Sequence, residues 1–429
     1  MVPLFFSSAA GLFLLFFGFP VGIALIAIPL VFLLVDPSIT VPLLVIPQKM
    51  FSAMDSFPLM AVPFFVLVGQ VMNVGGITNR IFDFANALIG HVKGGLAQVN
   101  ILASLLMSGM SGSAVADASG LGQVEIKVMT KEGYDPAFAA SVTAASATIG
   151  PIVPPSIPLV IVGAITNTPI SQLLVAGLLP GLLMTAALCL MVVWLAHRHN
   201  LPTRARASLK HLGKTFLSAL PALMAPVLLV GGILSGVFTP TEASAVAAIY
   251  AIAVTMFWYR ELNLKGLYDV LVSSAVVVGS IFFIIAGAAA VSWLLTWLGV
   301  PQALATNLSG LAESPTLLVL AIIGFLLVVG CFLESNAALI LVAPLLIPIA
   351  VSAGLDPVHL GTVMVLTLML GLITPPVGMN MFIVMAIADI SLMRYLKASL
   401  PFFLVLLAAT LIVAFVPWFS LVIPTLLLR

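Results

Sequence analysis

The residues able to do chemistry in this chain are few, and they are clustered. One group is Glu334, Ser335 and Asn336, an ionisable side chain with a hydroxyl and an amide inside a long apolar stretch. A second is Gly109-Met110-Ser111-Gly112-Ser113 followed by Asp117. Two more are proline-rich, GPIVPPSIP at 150–158 and GLITPPVGMN at 371–380. Proline removes a backbone N–H and clashes with the preceding turn, so neither stretch continues as an unbroken α-helix. Unwinding frees carbonyl oxygens, and Thr374, Asn380 and the serines add neutral oxygens. Carbonyl and hydroxyl oxygens are what a hard cation such as Na⁺ requires.

Each group also has a plainer reading. Glu334 can bond the backbone N–H groups of its own turn, and Asp117 can cap or brace its own arm. Glu242 in GVFTPTEASA follows Thr239-Pro240-Thr241, the pattern of a helix start, where capping competes with any solute contact. A lone proline break serves packing as readily as binding. GMSG at 109–112 has the G-x-S-G form of some intramembrane serine proteases, but such an enzyme needs a histidine beside the serine. His91, His197, His199, His211 and His359 all fall at loops or segment ends.

These groups sit in a chain whose solvent is lipid. Hydrophobic residues make up 62% of the 429 and charged residues 7%, against about 25% charged in a soluble domain. The net charge of +1 leaves no basic stripe for nucleic acid. Cys189 and Cys331 lie in apolar segments without metal-ligand spacing, consistent with packing. The first basic residue is Lys49, so the first apolar run reads as a retained helix. No soluble domain, nucleotide-binding module or P-loop is evident.

Apolar segments run over 3–19, 20–36, 57–77, 95–127, 137–165, 170–196, 215–235, 239–259, 267–298, 316–350, 357–388 and 397–423. Segments 95–127 and 316–350 exceed one bilayer crossing and break at 109–113 and 334–336. Both read as re-entrant hairpins, whose irregular backbone at depth must be buried in protein or line a watery cavity. With that parse thirteen of the fifteen Lys and Arg residues fall on one side, leaving Lys49 and Arg429 on the other. Cytoplasmic loops are the basic ones, which predicts both termini outside and 197–214 as the main cytoplasmic loop.

A constant offset of 221 relates the halves: Gly133, Asp135 and Pro136 to Gly354, Asp356 and Pro357; Gly150, Pro154 and Pro155 to Gly371, Pro375 and Pro376; Pro180 to Pro401; and Gly109 to Gly330. The first hairpin then enters from the cytoplasm and the second from outside, an inverted repeat of the kind that marks many secondary transporters. The expected fold is an all-α polytopic membrane protein with two re-entrant hairpins and two interrupted helices. Its expected organisation is scaffold 1–77, first repeat core 78–183, central scaffold 184–298, second repeat core 299–404, and the end of a scaffold helix at 405–429.

Paired Na⁺ sites are expected from this symmetry. One lies between Ser111, Gly112, Ser113 and the break at Gly150 and Pro154. The other lies between Glu334, Ser335, Asn336 and the break at Gly371, Thr374 and Pro375. An organic anion would be held between the tips by hydroxyls, amides, backbone N–H groups and bound Na⁺, with Ser335, Asn336, Asn380, Pro154 and Pro155 as candidate contacts. Asp117 and Glu242 are assigned structural or coupling roles.

GMSGSAVADASGLG (109–122), GYDPAFAASVTAASATIGPIVPP (133–155), GVFTPTEASA (236–245) and GLITPPVGMN (371–380) resemble the large membrane (M) subunit of TRAP transporters, the tripartite ATP-independent periplasmic systems. The resemblance covers nearly the whole chain. It implies an inner-membrane protein, not an enzyme, that takes up an organic acid such as sialic acid or a C4-dicarboxylate on a Na⁺ gradient. It further implies an elevator-like transport domain, a periplasmic substrate-binding (P) protein and a separate small membrane (Q) subunit. The second tip reads ESN where many relatives have Pro after the Glu, and sialic-acid systems are compatible with that more polar tip. A binding-protein-independent Na⁺/carboxylate carrier is the alternative.

Overall fold

The computed structural model describes all residues except 1–6, 8, 12, 15, 16, 36–40, 200, 203, 204, 301, 302, 304–313 and 429. The segment read at 3–19 therefore lies partly outside the described residues. Among those described, the chain is helical and contains no strand. Eight helical stretches among the described residues are long and apolar enough to cross a membrane.

The first described helices are α1 (Val21–Val35), α2 (Val45–Met54), α3 (Ala61–Val74) and α4 (Ile77–Ile89). The first hairpin consists of α5 (Gly95–Ser111), α6 (Ala114–Ser119) and α7 (Leu121–Lys131). It is followed by a helix broken into α8 (Pro136–Ala147) and α9 (Ile157–Thr166). Next come α10 (Ile170–Ala176), α11 (Leu178–His199), α12 (Leu209–Leu234), α13 (Pro240–Ala253) and α14 (Leu264–Trp297). The second hairpin is α15 (Pro315–Phe332) and α16 (Ser335–Ser352), and its broken helix is α17 (Pro357–Gly371) and α18 (Met379–Ala388). The chain closes with α19 (Leu392–Phe415) and α20 (Trp418–Leu427).

The sequence landmarks occupy matching places. Asp135 Oδ1 accepts from Ala137 N (2.8 Å) and Phe138 N (3.1 Å). Asp356 Oδ1 accepts from Val358 N (2.8 Å) and His359 N (3.1 Å). Each caps its helix with proline at the first helical position, where the missing N–H is not needed. Gly133 and Gly354 make the preceding turns at φ +89° and +84°.

Packing follows the same correspondence. The arms of the first hairpin pack on α8, and those of the second pack on α17. The second halves of the broken helices cross over: α9 packs on α16, while α18 packs on α6, α7 and α8. A buried polar chain ties α5 to α8. Asn100 Nδ2 donates to Thr143 Oγ1 (2.6 Å), Ser146 Oγ donates to Asn100 Oδ1 (2.6 Å), and Ser104 Oγ donates to Ser146 Oγ (3.0 Å). Without water to compete, such bonds hold helices together where apolar contact alone distinguishes poorly between protein and lipid.

Loops assigned to one side also meet. On the basic side Arg80 pairs with Glu261 and stacks over the Tyr259 ring at 4.1 Å. On the same side Arg394 pairs with Asp135 at 3.0 Å, and Tyr134 Oη donates to Pro202 O at 3.2 Å. On the opposite side one cavity gathers residues 56–58, 167–171 and 239–241.

Three features depart from the sequence reading. Helices α2 and α4 fall in stretches read as connections. The first is short and contains Pro47 and Lys49; the second alternates Arg80 and Asp83 with buried Ile77, Ile81 and Phe82. Neither presents a continuous apolar run. The final segment, expected as one helix over 397–423, stops at Phe415 and restarts at Trp418, with Pro417 at the junction.

Candidate functional site

Each hairpin tip is seated on the break of its own repeat. At the first tip α5 ends on Gly112, at φ +57°, a left-handed conformation that glycine adopts without penalty. A Cβ on Gly112 would stand 2.7 Å from Pro155 O. The tip therefore rests directly on the backbone freed by the GPIVPP break. Ser113 turns extended and caps α6, accepting from Ala116 N at 3.4 Å. Ser156 caps α9, accepting from Leu159 N at 3.2 Å, which restarts the helix beyond the prolines.

The second tip repeats this arrangement with different atoms. A Cβ on Gly330 would stand 3.3 Å from Gly371 Cα, so α15 and α17 touch backbone to backbone. Val377 N donates to Cys331 O at 3.0 Å, and Cys331 Sγ lies 3.1 Å from Thr374 Oγ1. Thr374 Oγ1 also donates toward Gly371 O at 3.0 Å. Glu334 caps α16: its Oε2 accepts from Ala337 N (3.1 Å), and its Oε1 accepts from Ser335 Oγ (3.1 Å) and Asn336 Nδ2 (2.9 Å). The backbone-bonding geometry foreseen for Glu334 is thus present. The Asn336 backbone N–H also faces this carboxylate, so its acceptor positions are largely taken up by its own turn.

The tips meet on one cavity of about 340 Å³. Ser111 and Ser113 reach it from the first tip and Asn336 from the second. Gln70 and Asn73 line it from α3, and Ile157 lines it from α9. The volume lies within the range of small-molecule pockets, about 300–1,000 Å³. Two residues of its lining carry buried polar atoms without a hydrogen-bond partner, Ser111 Oγ and Asn336 Oδ1; the Asp117 carboxylate, Glu125 Oε1 and the Asn380 amide are likewise unsatisfied but lie outside the lining. An unpaired buried polar group costs about 1–3 kcal/mol, so the two lining atoms mark a place where ions, water or solute complete the coordination.

Several expected contacts are absent from the lining of this cavity. Asn380 is fully buried but does not line the cavity, because α18 crosses over to pack against the first hairpin. Pro154 and Pro155 lie behind the first tip, and Ser335 is turned toward Glu334. Asp117 faces the broken helix, since a Cβ on Gly150 would collide with Asp117 Oδ2. Glu242 forms a capping box with Thr239: its Oε2 accepts from Thr239 N at 2.9 Å while Glu242 N donates to Thr239 Oγ1 at 3.3 Å. Gln70 and Asn73 were not singled out from the sequence. Their signal was two amides three residues apart on one face of an otherwise apolar helix.

Residues 9–419 match the family model described as the DctM component of the tripartite ATP-independent periplasmic transporter. The sialic acid TRAP transporter large permease protein SiaM of Vibrio cholerae is 43% identical over 415 residues, 97% of each chain. The C4-dicarboxylate TRAP transporter large permease protein DctM of Pseudomonas aeruginosa is 39% identical, covering 88% of each. The sialic acid TRAP transporter permease protein SiaT of Haemophilus influenzae is 40% identical over 89% of this chain and 62% of its own. Among solved structures, the Alcanivorax borkumensis YdaH transporter superposes with a TM-score of 0.65 at 16% identity, over 96% of this chain and 98% of its own. Neisseria gonorrhoeae MtrF gives 0.61 at 15% identity, over 87% and 85%. These two share the fold.

Proposed function

The chain belongs to the DctM-component family of tripartite ATP-independent periplasmic transporters, and from that premise we propose that it takes up an organic acid on a Na⁺ gradient. The observation that carries the reading is the cavity on which Ser111, Ser113 and Asn336 converge, each tip resting on a broken helix. Relatives are named for sialic acid and for C4-dicarboxylates, and the solute is of that class: a small carboxylate with polar substituents. The cavity has amides and hydroxyls for such a molecule and no basic residue in its lining. Negative charge is then balanced by bound cation and by the N-terminal ends of half-helices.

Two Na⁺ sites fit the donors. The first uses Ser111 Oγ, which is buried beside the Asp117 carboxyl, with the backbone oxygens around Gly112, Ser113, Gly150 and Pro154. The second uses the Glu334 carboxylate with the Ser335 hydroxyl, Asn336 Oδ1, Thr374 and the backbone near Gly371 and Pro375. Occupation of both sites draws tips and breaks together around the solute. The two hairpins and two broken helices then move as one body against α1–α3 and α12–α14, exchanging access between the two faces. That exchange is what an inverted repeat accomplishes. Working partners are a periplasmic binding protein that delivers the solute and a small membrane subunit beside the scaffold. The protein resides in the inner membrane with both ends periplasmic.

The test is uptake of N-acetylneuraminate and of fumarate into proteoliposomes holding the transporter complex, with and without the cognate binding protein. Uptake that requires the binding protein supports the proposal. Equal uptake without it identifies a binding-protein-independent carboxylate carrier instead.

A further inference from the structure

A second polar cavity, of about 400 Å³, lies on the face opposite the basic loops. Lys49 and Ser52 line it from α2 and Ser56 from the connection that follows, while Asn167 comes from the end of α9 and Ser292 from α14. Lys49 forms none of the described ion pairs. The nearest acidic residue in the chain, Asp55, is exposed and is not part of the lining. It stands six residues on, about 9 Å along the helix axis. Glu242, beside an adjoining cavity, is engaged by Thr239. The hydroxyls of Ser52, Ser56 and Ser292 and the amide of Asn167 remain available to a ligand.

This cavity and the one between the tips are successive stretches of a single seam. Three helices line both. On α16, Asn336 faces the tip cavity, and Ile340 and Pro344, at i+4 and i+8 on the same helical face, face the Lys49 cavity. On α14, Val277 and Ile281 line the first and Ile285, Ala288 and Ser292 the second. On α9, Ile157 lines the first and Ala164, seven residues on, the second. From Asn336 to Pro344 the rise is about 12 Å, so the two cavities are roughly one small solute apart.

We propose that the Lys49 cavity is an outer vestibule that binds the carboxylate of the incoming solute before it reaches the tips. This rests on the reading of the chain as an organic-acid transporter. A single positive charge in a cleft with low-dielectric walls focuses its field and raises the local concentration of anions. The site holds a carboxylate through Lys49 Nζ, while the serine hydroxyls and Asn167 take the polar substituents. Lys49 is a binding residue of access, separate from the coordination at the tips. An exposed ion pair is weak, which suits a staging position that must release its ligand inward.

The test is site-resolved amine acetylation of the intact complex in detergent, quantified by mass spectrometry at Lys49 and at the exposed Lys93 as internal reference. A carboxylate seated on the ammonium disfavours the neutral amine that reacts. Saturating N-acetylneuraminate or fumarate is expected to slow Lys49 at least about twofold relative to Lys93, whereas neutral N-acetylmannosamine leaves the ratio unchanged. In reconstituted uptake, Lys49→Gln is expected to raise KM about two- to fivefold with the maximal rate retained, the range an exposed charge pair supports. Lys49→Arg restores it. An unchanged ratio with both anions, or equal slowing by the neutral sugar, overturns the vestibule. Protection of Lys49 in a complex that shows no gradient-driven uptake leaves the vestibule standing and removes the transport reading instead.

Discussion

Two glycines separate the effect of tip contact from that of backbone strain. Gly371 has an ordinary backbone conformation, but a Cβ there overlaps the Cα, C and O atoms of Gly330. Gly354 is its complement: φ is +84°, and nothing lies within 4 Å of an added Cβ. Gly354→Ala therefore carries only left-handed strain, about 1–2 kcal/mol. Gly371→Ala carries only overpacking, about 1–3 kcal/mol. Unfolding entropy scales with chain length, giving about 1 °C of Tm per kcal/mol at this size, so both variants should melt within a few degrees of the parent. They should differ in transport. Moving Gly330 away from Gly371 shifts the Glu334 cap relative to Thr374, two of the groups assigned to the second Na⁺. Initial uptake rates at graded Na⁺ concentration, in proteoliposomes of matched protein content, should show a higher half-activating concentration for Gly371→Ala alone. Indistinguishable Na⁺ curves for both variants and the parent would refute the claim that seating the tip on the break builds the ion site.

Three further outcomes follow from the same geometry. Asn380→Leu removes a buried amide whose two polar atoms lack partners, so Tm should hold or rise; a Tm drop of several degrees in detergent would mean the amide is structurally satisfied. Thr239→Ala removes the α13 cap, a change worth about 0.5–2 kcal/mol, and should lower Tm while leaving KM and the Na⁺ response as they were; altered kinetics would give the Thr239–Glu242 box a coupling role. In a background without Cys189 and Cys331, single cysteines at 205 and at 50 or 427 should react with impermeant maleimide from opposite sides of oriented vesicles, 205 from the cytoplasm. Labelling of 205 from outside would invert every loop assignment.

The breaks were legible because proline acts locally: GPIVPP and GLITPP end a helix whatever surrounds them. The hairpin tips were legible because glycine, serine and one glutamate stand inside runs otherwise too long for a single crossing. Helices α2 and α4 were not, since Pro47, Lys49, Arg80 and Asp83 interrupt the apolar signal that marks a span. Asn380 was placed between the tips on the strength of its position beyond Pro375. The crossing of α18 onto the first hairpin, which buries Asn380 outside the cavity lining, is a tertiary feature with no local signature. Gln70 and Asn73 were passed over because neither adjoins a break, although both face the cavity. Pairing of tip with break followed from the repeat offset; the meeting of Ser111, Ser113 and Asn336 required the three-dimensional crossing of the two halves.

The central claim is that solute and Na⁺ bind together at the paired tips and cross together. It is tested most directly by ²²Na⁺ influx into proteoliposomes of the complete complex, clamped at zero membrane potential, with the solute-loaded binding protein outside. N-acetylneuraminate or fumarate should stimulate Na⁺ influx in parallel with its own uptake, and bulky replacement of Ser111 or Thr374 should abolish both. Solute accumulation at the parental rate with no accompanying Na⁺ flux would contradict it.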